Sequence, residues 1–182
     1  MVQNSERRFF VFTVIALCIA NTGAFSQGYP KFELTSAGVE PIVVQFDSMS
    51  MAVLYTKAHK WVLKTYKNPD KVLKANIPNE ELRMSGYKEG AYFFKGLGKS
   101  YCDLEYTFII QVKDQKVRLT FTPENSYYQG SKAALPQGFF KKDGTLPNMY
   151  KDVKPSLEQT MNELVLSLCD FLNGKGQGKD DW

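Results

Sequence analysis

Residues able to do chemistry are few in this 182-residue chain, and they are thinly spread. The single histidine, His59, excludes any site that needs two imidazoles and leaves Ser-His or Cys-His pairing with one candidate base. Asp103 and Glu105 stand two positions apart in an alternating run, so both carboxylates share one face of a strand, an arrangement that can place an acid and a base in a cleft. Arg118 falls on the neighbouring run, and cross-strand ion pairing on a wet face explains all three residues more simply. No catalytic residue is assigned on this basis. Cys102, Cys169 and His59 have no zinc spacing, and no acidic loop has the calcium pattern, so no metal and no cofactor are expected. Gly96-Leu97-Gly98-Lys99, followed by Ser100, has the residue types of a phosphate loop without its spacing or flanking strand.

Aromatic density is more suggestive. Tyr92, Phe93 and Phe94 crowd one glycine-flanked stretch, and Tyr127, Tyr128, Phe139, Phe140 and Tyr150 crowd another. Aromatics on loops beside lysines can form a platform for a glycan, a peptide or a partner protein; they can equally fold back over a sheet edge and complete the core. The candidate binding residues are Tyr92, Phe94, Tyr127, Tyr128, Phe139 and Phe140.

The element that must position these residues is a long antiparallel hairpin over residues 101–122. Cys102, Leu104, Tyr106, Phe108, Ile110 and Val112 alternate on its first arm, and Val117, Leu119 and Phe121 alternate on the second, so each arm presents one apolar face. The opposite face is mostly polar, as in an antiparallel sheet wet on one side. Residues 41–46 read as a short β-branched strand, followed by an amphipathic helix over 51–66 that Asp47, Ser48 or Ser50 caps and Pro69 ends. Two short strands, 72–77 and 82–87, join through Pro78-Asn79-Glu80, and 88–99 reads as either a glycine-rich loop or a ragged strand extension. Residues 123–153 form the least regular stretch. A second amphipathic helix spans 155–173, with Ser156 and Gln159 as a capping box and Asn173-Gly174 as the stop. The order β-α-β-β-β-β-α predicts an α+β fold, a curved antiparallel sheet with two helices on one face. Residues 41–174 would form its single domain, after a lead-in over 27–40 and before a mobile tail over 175–182.

The N-terminus predicts that this domain is exported from the cytoplasm. Arg7 and Arg8 precede an apolar run over 9–20, and Ala24-Phe25-Ser26 suits signal peptidase, so residues 1–26 read as a signal peptide of an exported, periplasmic or secreted protein. The run is short of the ~20 residues that span a bilayer as a helix, and no stable membrane span is expected after cleavage. Lipidation at Cys18 is disfavoured because Leu17 stands where a small residue is wanted. Cys102 and Cys169 then remain, both directed toward one interior; a disulfide and two ordinary buried thiols are both open.

Residues 41–122 resemble a family of domains of unknown function described as having a TATA-binding-protein-like (TBP-like) fold, found mostly in exported proteins of Bacteroidetes. The residues carrying the resemblance are Ile42-Val43-Val44, Leu54-Tyr55 with Ala58 and Trp61, Met84-Ser85-Gly86, and Tyr106-Thr107-Phe108 leading through Lys113-Asp114-Gln115-Lys116 to Val117-Arg118. Gln115 stands where other members often have glycine. The resemblance implies the fold and no activity, since these are packing positions.

The functional expectation is a non-catalytic module that binds an envelope protein, peptide or glycan through the wet sheet face and the 123–153 stretch. A carrier of an apolar small molecule between helices and sheet is the alternative, and a hydrolase using Asp103 and Glu105 ranks third. The net charge is +4, with lysines and acids interspersed and no dense basic stripe, so nucleic acid is not an expected partner.

Overall fold

The computed structural model describes residues 28–96 and 98–175. The expected signal peptide and residues 176–182 of the expected tail lie outside the described residues. The chain runs β1 (Leu34–Thr35), β2 (Gly38–Val39), β3 (Ile42–Gln45), α1 (Met51–Thr65), a single helical turn α2 (Pro69–Val72), β4 (Leu73–Ile77), β5 (Glu81–Lys95), β6 (Lys99–Lys113), β7 (Lys116–Tyr128), β8 (Ser131–Ala133) and α3 (Val153–Leu172). Strands β3 to β7 form an antiparallel sheet in the order β3-β7-β6-β5-β4, and β8 pairs with the end of β7. The α+β class and the two helices on one face are as the patterning requires.

Alternation dictates which face they cover. Leu104, Phe108 and Ile110 on β6 and Leu119 and Phe121 on β7 are buried, as are Leu54, Ala58, Trp61 and Val62 of α1 and Leu157, Met161, Val165 and Leu168 of α3. Trp61 meets Phe108 edge-on at 6.2 Å between ring centres and donates its indole N–H to Ser167 Oγ at 3.0 Å, so one side chain joins α1, α3 and the sheet.

The start of α1 is fixed by the β6–β7 turn as well as by its own cap. Ser50 Oγ accepts from Val53 N at 3.4 Å, and Asp114 Oδ1 accepts from Met51 N at 2.8 Å, a carboxylate at the positive end of the helix. Gln115 completes the junction with its backbone, accepting from Phe46 N and donating to Met49 O, in a left-handed conformation with φ of 61°. That conformation is one glycine adopts more readily than glutamine.

Gly86 has a different explanation. It lies opposite Tyr106, and a Cβ there would meet the tyrosine ring at 2.3 Å.

Three expectations need correction. The lead-in is part of the core: Phe32 and Leu34 are fully buried, Phe32 lies near Phe108 and Phe121, and its backbone N–H and C=O both bond to the Asn162 amide on α3. The 123–153 stretch begins as strand, because β7 continues to Tyr128 and turns into β8. Helix α3 starts at Val153, with Pro155 inside its first turn, where a missing N–H costs nothing. Ser156 therefore caps nothing; its hydroxyl donates to Asp152 O and accepts from Phe93 N, while Gln159 donates to Glu163.

Of the two states left open for Cys102 and Cys169, the structure has buried, free thiols. Cys102 pairs with Tyr92, next to Ala91, whose carbonyl accepts from Thr160 near the start of α3. Cys169 is nine residues further along that helix, roughly 13 Å at 1.5 Å per residue, whereas a disulfide wants Cα atoms within about 7 Å. Burial raises both thiol pKa values, that of Cys169 to about 12.

Candidate functional site

Two register changes decide which side chains reach the open sheet face. On β5, residues 89–91 stand against the single Asp103 of β6, a bulge of two extra residues with Gly90 at φ 57°. An even insertion preserves the faces, so Tyr92 lands beside Cys102 in the core. On β7, Glu124 is one extra residue between Pro123, opposite Tyr106, and Asn125, opposite Glu105. An odd insertion reverses the faces, and Asn125 and Tyr127 turn outward while Ser126 turns in.

The result is an aromatic and polar surface at one end of the open face. Tyr87 and Tyr101 are more than half exposed, at 53% and 55%; Phe93 and Tyr127 are half-buried beside them. Tyr101 lies opposite Phe93 with ring centres 5.6 Å apart, and Lys99 Nζ sits 4.7 Å from the Phe93 ring centre. Asp103 holds this end together. Its Oδ2 accepts from Tyr87 Oη at 2.8 Å and its Oδ1 accepts from the bulge N–H of Gly90 at 2.8 Å. Glu105 accepts from Asn125 Nδ2 at 2.8 Å. The bond to Asp103 pushes the Tyr87 hydroxyl pKa up to about 12, and burial with the neighbouring Glu105 raises that of Tyr127. The surface thus offers ring faces with hydroxyl, carboxylate and amide groups fixed between them.

The sequence-derived candidates divide three ways. Tyr127 belongs to this surface. Tyr92 is a core residue, completely buried, with its hydroxyl 2.6 Å from Ser126 Oγ, and burial holds it neutral well above the usual tyrosine range. Phe94, Tyr128, Phe139 and Phe140 are half-buried against the core on the helix side. There Phe94 contacts Tyr128 and Tyr150, and Tyr150 stacks on Phe139 with centres 4.3 Å apart. Tyr87, Phe93 and Tyr101 were missed as candidates, although Tyr87 and Tyr101 fall out of phase with the buried residues of their strands.

The remaining chemical candidates do not converge. Asp103 and Glu105 share a face as alternation requires, but Arg118 lies opposite Gln111, eight positions along β6 from Asp103, so the three-residue ion-pair reading is corrected. The pair actually formed on that face is Arg83 with Glu81, at 2.8 Å. His59 stacks on Tyr55 at the outer edge of α1, near Asn76. Gly96 and Gly98 belong to the β5–β6 turn, where Gly96 N donates to Gly98 O, and no helix follows. Among the described residues no three His, Cys, Asp or Glu side chains group as metal ligands, and no helix is long and apolar enough to cross a membrane.

An antiparallel sheet with helices on one face and an open opposite face defines a class of α+β domain, and comparison makes it specific. Residues 42–126 match the family described as a domain of unknown function (DUF4468) with TBP-like fold. Two solved structures share the fold. A TBP-like protein from Parabacteroides distasonis ATCC 8503 is 12% identical, with a TM-score of 0.60 over 75% of this chain and 92% of that one. A DUF4468 family protein from Bacteroides ovatus ATCC 8483 is 14% identical, with a TM-score of 0.58 over 85% of this chain and 93% of that one. No curated protein matches the sequence.

Proposed function

We propose that this protein is an exported, non-catalytic binding module of the cell envelope, and that its ligand is a polysaccharide chain held on the open sheet face. The observation that carries this reading is the pair of exposed rings, Tyr87 and Tyr101, flanking fixed polar groups on Asp103, Glu105 and Asn125. Sugar rings offer C–H faces to aromatic side chains and hydroxyls to carboxylates and amides. Sheet-borne side chains meet them with little ordering cost, because Tyr87 and Asp103 already hold one another. Export is supported by Arg7-Arg8, the apolar run over 9–20 and the cleavage pattern at 24–26.

The same geometry disfavours the alternatives. Both Asp103 oxygens are engaged by donors from within the chain, which leaves a hydrolytic role without a disengaged carboxylate at that position. Between the helices and the sheet, Phe32, Trp61, Phe108 and Phe121 fill the space an apolar cargo would need. The test is co-sedimentation of the mature protein with purified sacculi and with surface polysaccharide of its host, beside a Tyr87→Ala/Tyr101→Ala variant. Retention of the wild type and loss in a variant of unchanged thermal stability is the expected result. Retention of both, or of neither, contradicts the proposal.

A further inference from the structure

Away from the open face, the outer side of α1, together with Phe171 of α3, lines an open groove of about 700 Å³ that includes Val53, Lys57, Lys60, Leu63 and Lys64. Val53 and Leu63 are 44% and 47% exposed, unusual for apolar residues on a helix whose other side is fully buried. A smaller recess of about 330 Å³ shares Lys64 and Phe171 with this groove and continues to Asp170 and Lys175, where α3 ends. The groove is both apolar and cationic. Lys57 is committed, donating to Leu172 O at 2.7 Å, while Lys64 extends over the Phe171 ring at 5.7 Å. Neither Lys60 nor Lys64 has a carboxylate within ion-pair distance among the described residues, whereas Lys175 is paired with Asp170.

The chain that leaves Lys175 has the complementary chemistry. Its last three residues are Asp180, Asp181 and Trp182, two carboxylates and an indole. Trp182 lies seven positions beyond Lys175, a reach of up to about 24 Å in extended form, and the groove between Val53 and Lys64 is roughly 17 Å long along α1. The helices run antiparallel, Trp61 meeting Ser167 and Lys57 meeting Leu172, so the tail departs beside the groove and not from its far end. We infer that the α1–α3 groove is a binding site for an acidic, aromatic peptide segment, and that its occupant is this chain's own Asp180-Asp181-Trp182. The carboxylates meet Lys60 and Lys64, and the indole covers Val53 and Leu63.

The chain has two tryptophans, and Trp61 is buried at 1% exposure, so the difference in emission between the full-length chain and its Trp182→Phe variant reports Trp182. The expected result is blue-shifted difference emission with acrylamide quenching well below that of a free peptide of residues 176–182. Lys60→Glu/Lys64→Glu should return both to the free-peptide values, as should molar salt, where the Debye length is about 3 Å. Lys60→Gln/Lys64→Gln, which keeps the side-chain length, should give an intermediate value in a chain whose thermal stability is unchanged. Free-peptide emission in the full-length chain overturns the inference, as does protection that survives the charge reversal. Protection that rises with protein concentration assigns the groove to the tail of a second copy and overturns the intramolecular assignment.

Discussion

Gly86 and Gln115 are opposite cases of a backbone position matched and mismatched to its residue. At Gly86 the Tyr106 ring occupies the space of a Cβ, so Gly86→Ala must displace a packed aromatic and should destabilise the domain by about 1–3 kcal/mol in urea unfolding. At Gln115 the left-handed backbone carries a side chain, while the junction is made by the residue's own N–H and C=O. Gln115→Gly should therefore raise stability, by about 0.5–1 kcal/mol after the extra entropy of glycine in the unfolded chain is counted. A midpoint shift in the other direction would show that the turn is not strained. Alternation alone placed Asp103 and Glu105 on the open face correctly. It could not place Tyr127 and Tyr128, because the extra residue Glu124 reverses the faces and leaves no mark in composition.

Among the elements, the two helices and the long hairpin were legible because each repeats its apolar positions at one period over many residues. The elements that were not legible are short or depend on distant partners. Strands β1 and β2 have two residues each, and the segment is tied at Phe32 by Asn162 and at Leu34 of β1 by Glu158, both on α3 and more than a hundred residues away. Pairing at that separation has no local signature. It nevertheless makes the lead-in structural, and Phe32→Ala should cost about 3–5 kcal/mol, the range for emptying a buried aromatic site. A change within ~0.5 kcal/mol, typical of a surface position, would detach residues 28–40 from the domain. The start of α3 was displaced for a similar reason: Pro155 reads as a boundary from sequence, yet the first turn accepts it.

For the whole molecule, the buried hydroxyls predict how stability depends on pH. Tyr66, Tyr92 and Tyr106 all have pKa values raised by burial, so the folded chain keeps protons that the unfolded chain gives up near pH 10. Their contribution is complete below pH 10 and is lost as pH rises above it, at up to about 1.4 kcal/mol per pH unit for each tyrosine. The thiols of Cys102 and Cys169 act with the same sign from about pH 8.5, the ordinary cysteine value. Melting temperature should accordingly fall from about pH 8.5 and more steeply beyond pH 10; a flat alkaline limb would mean these groups ionise within the fold. Helices on one side of the sheet seal this interior and leave the opposite face open, the face proposed for recognition. The most direct test of that division is an amide chemical-shift map of the ¹⁵N-labelled protein titrated with oligosaccharides released from its host's envelope. Shifts should concentrate at Tyr87, Phe93, Tyr101, Asp103, Asn125 and Tyr127 and leave α1 and α3 unmoved. Shifts centred on the helices, or absent at saturating oligosaccharide, would contradict recognition by the open face.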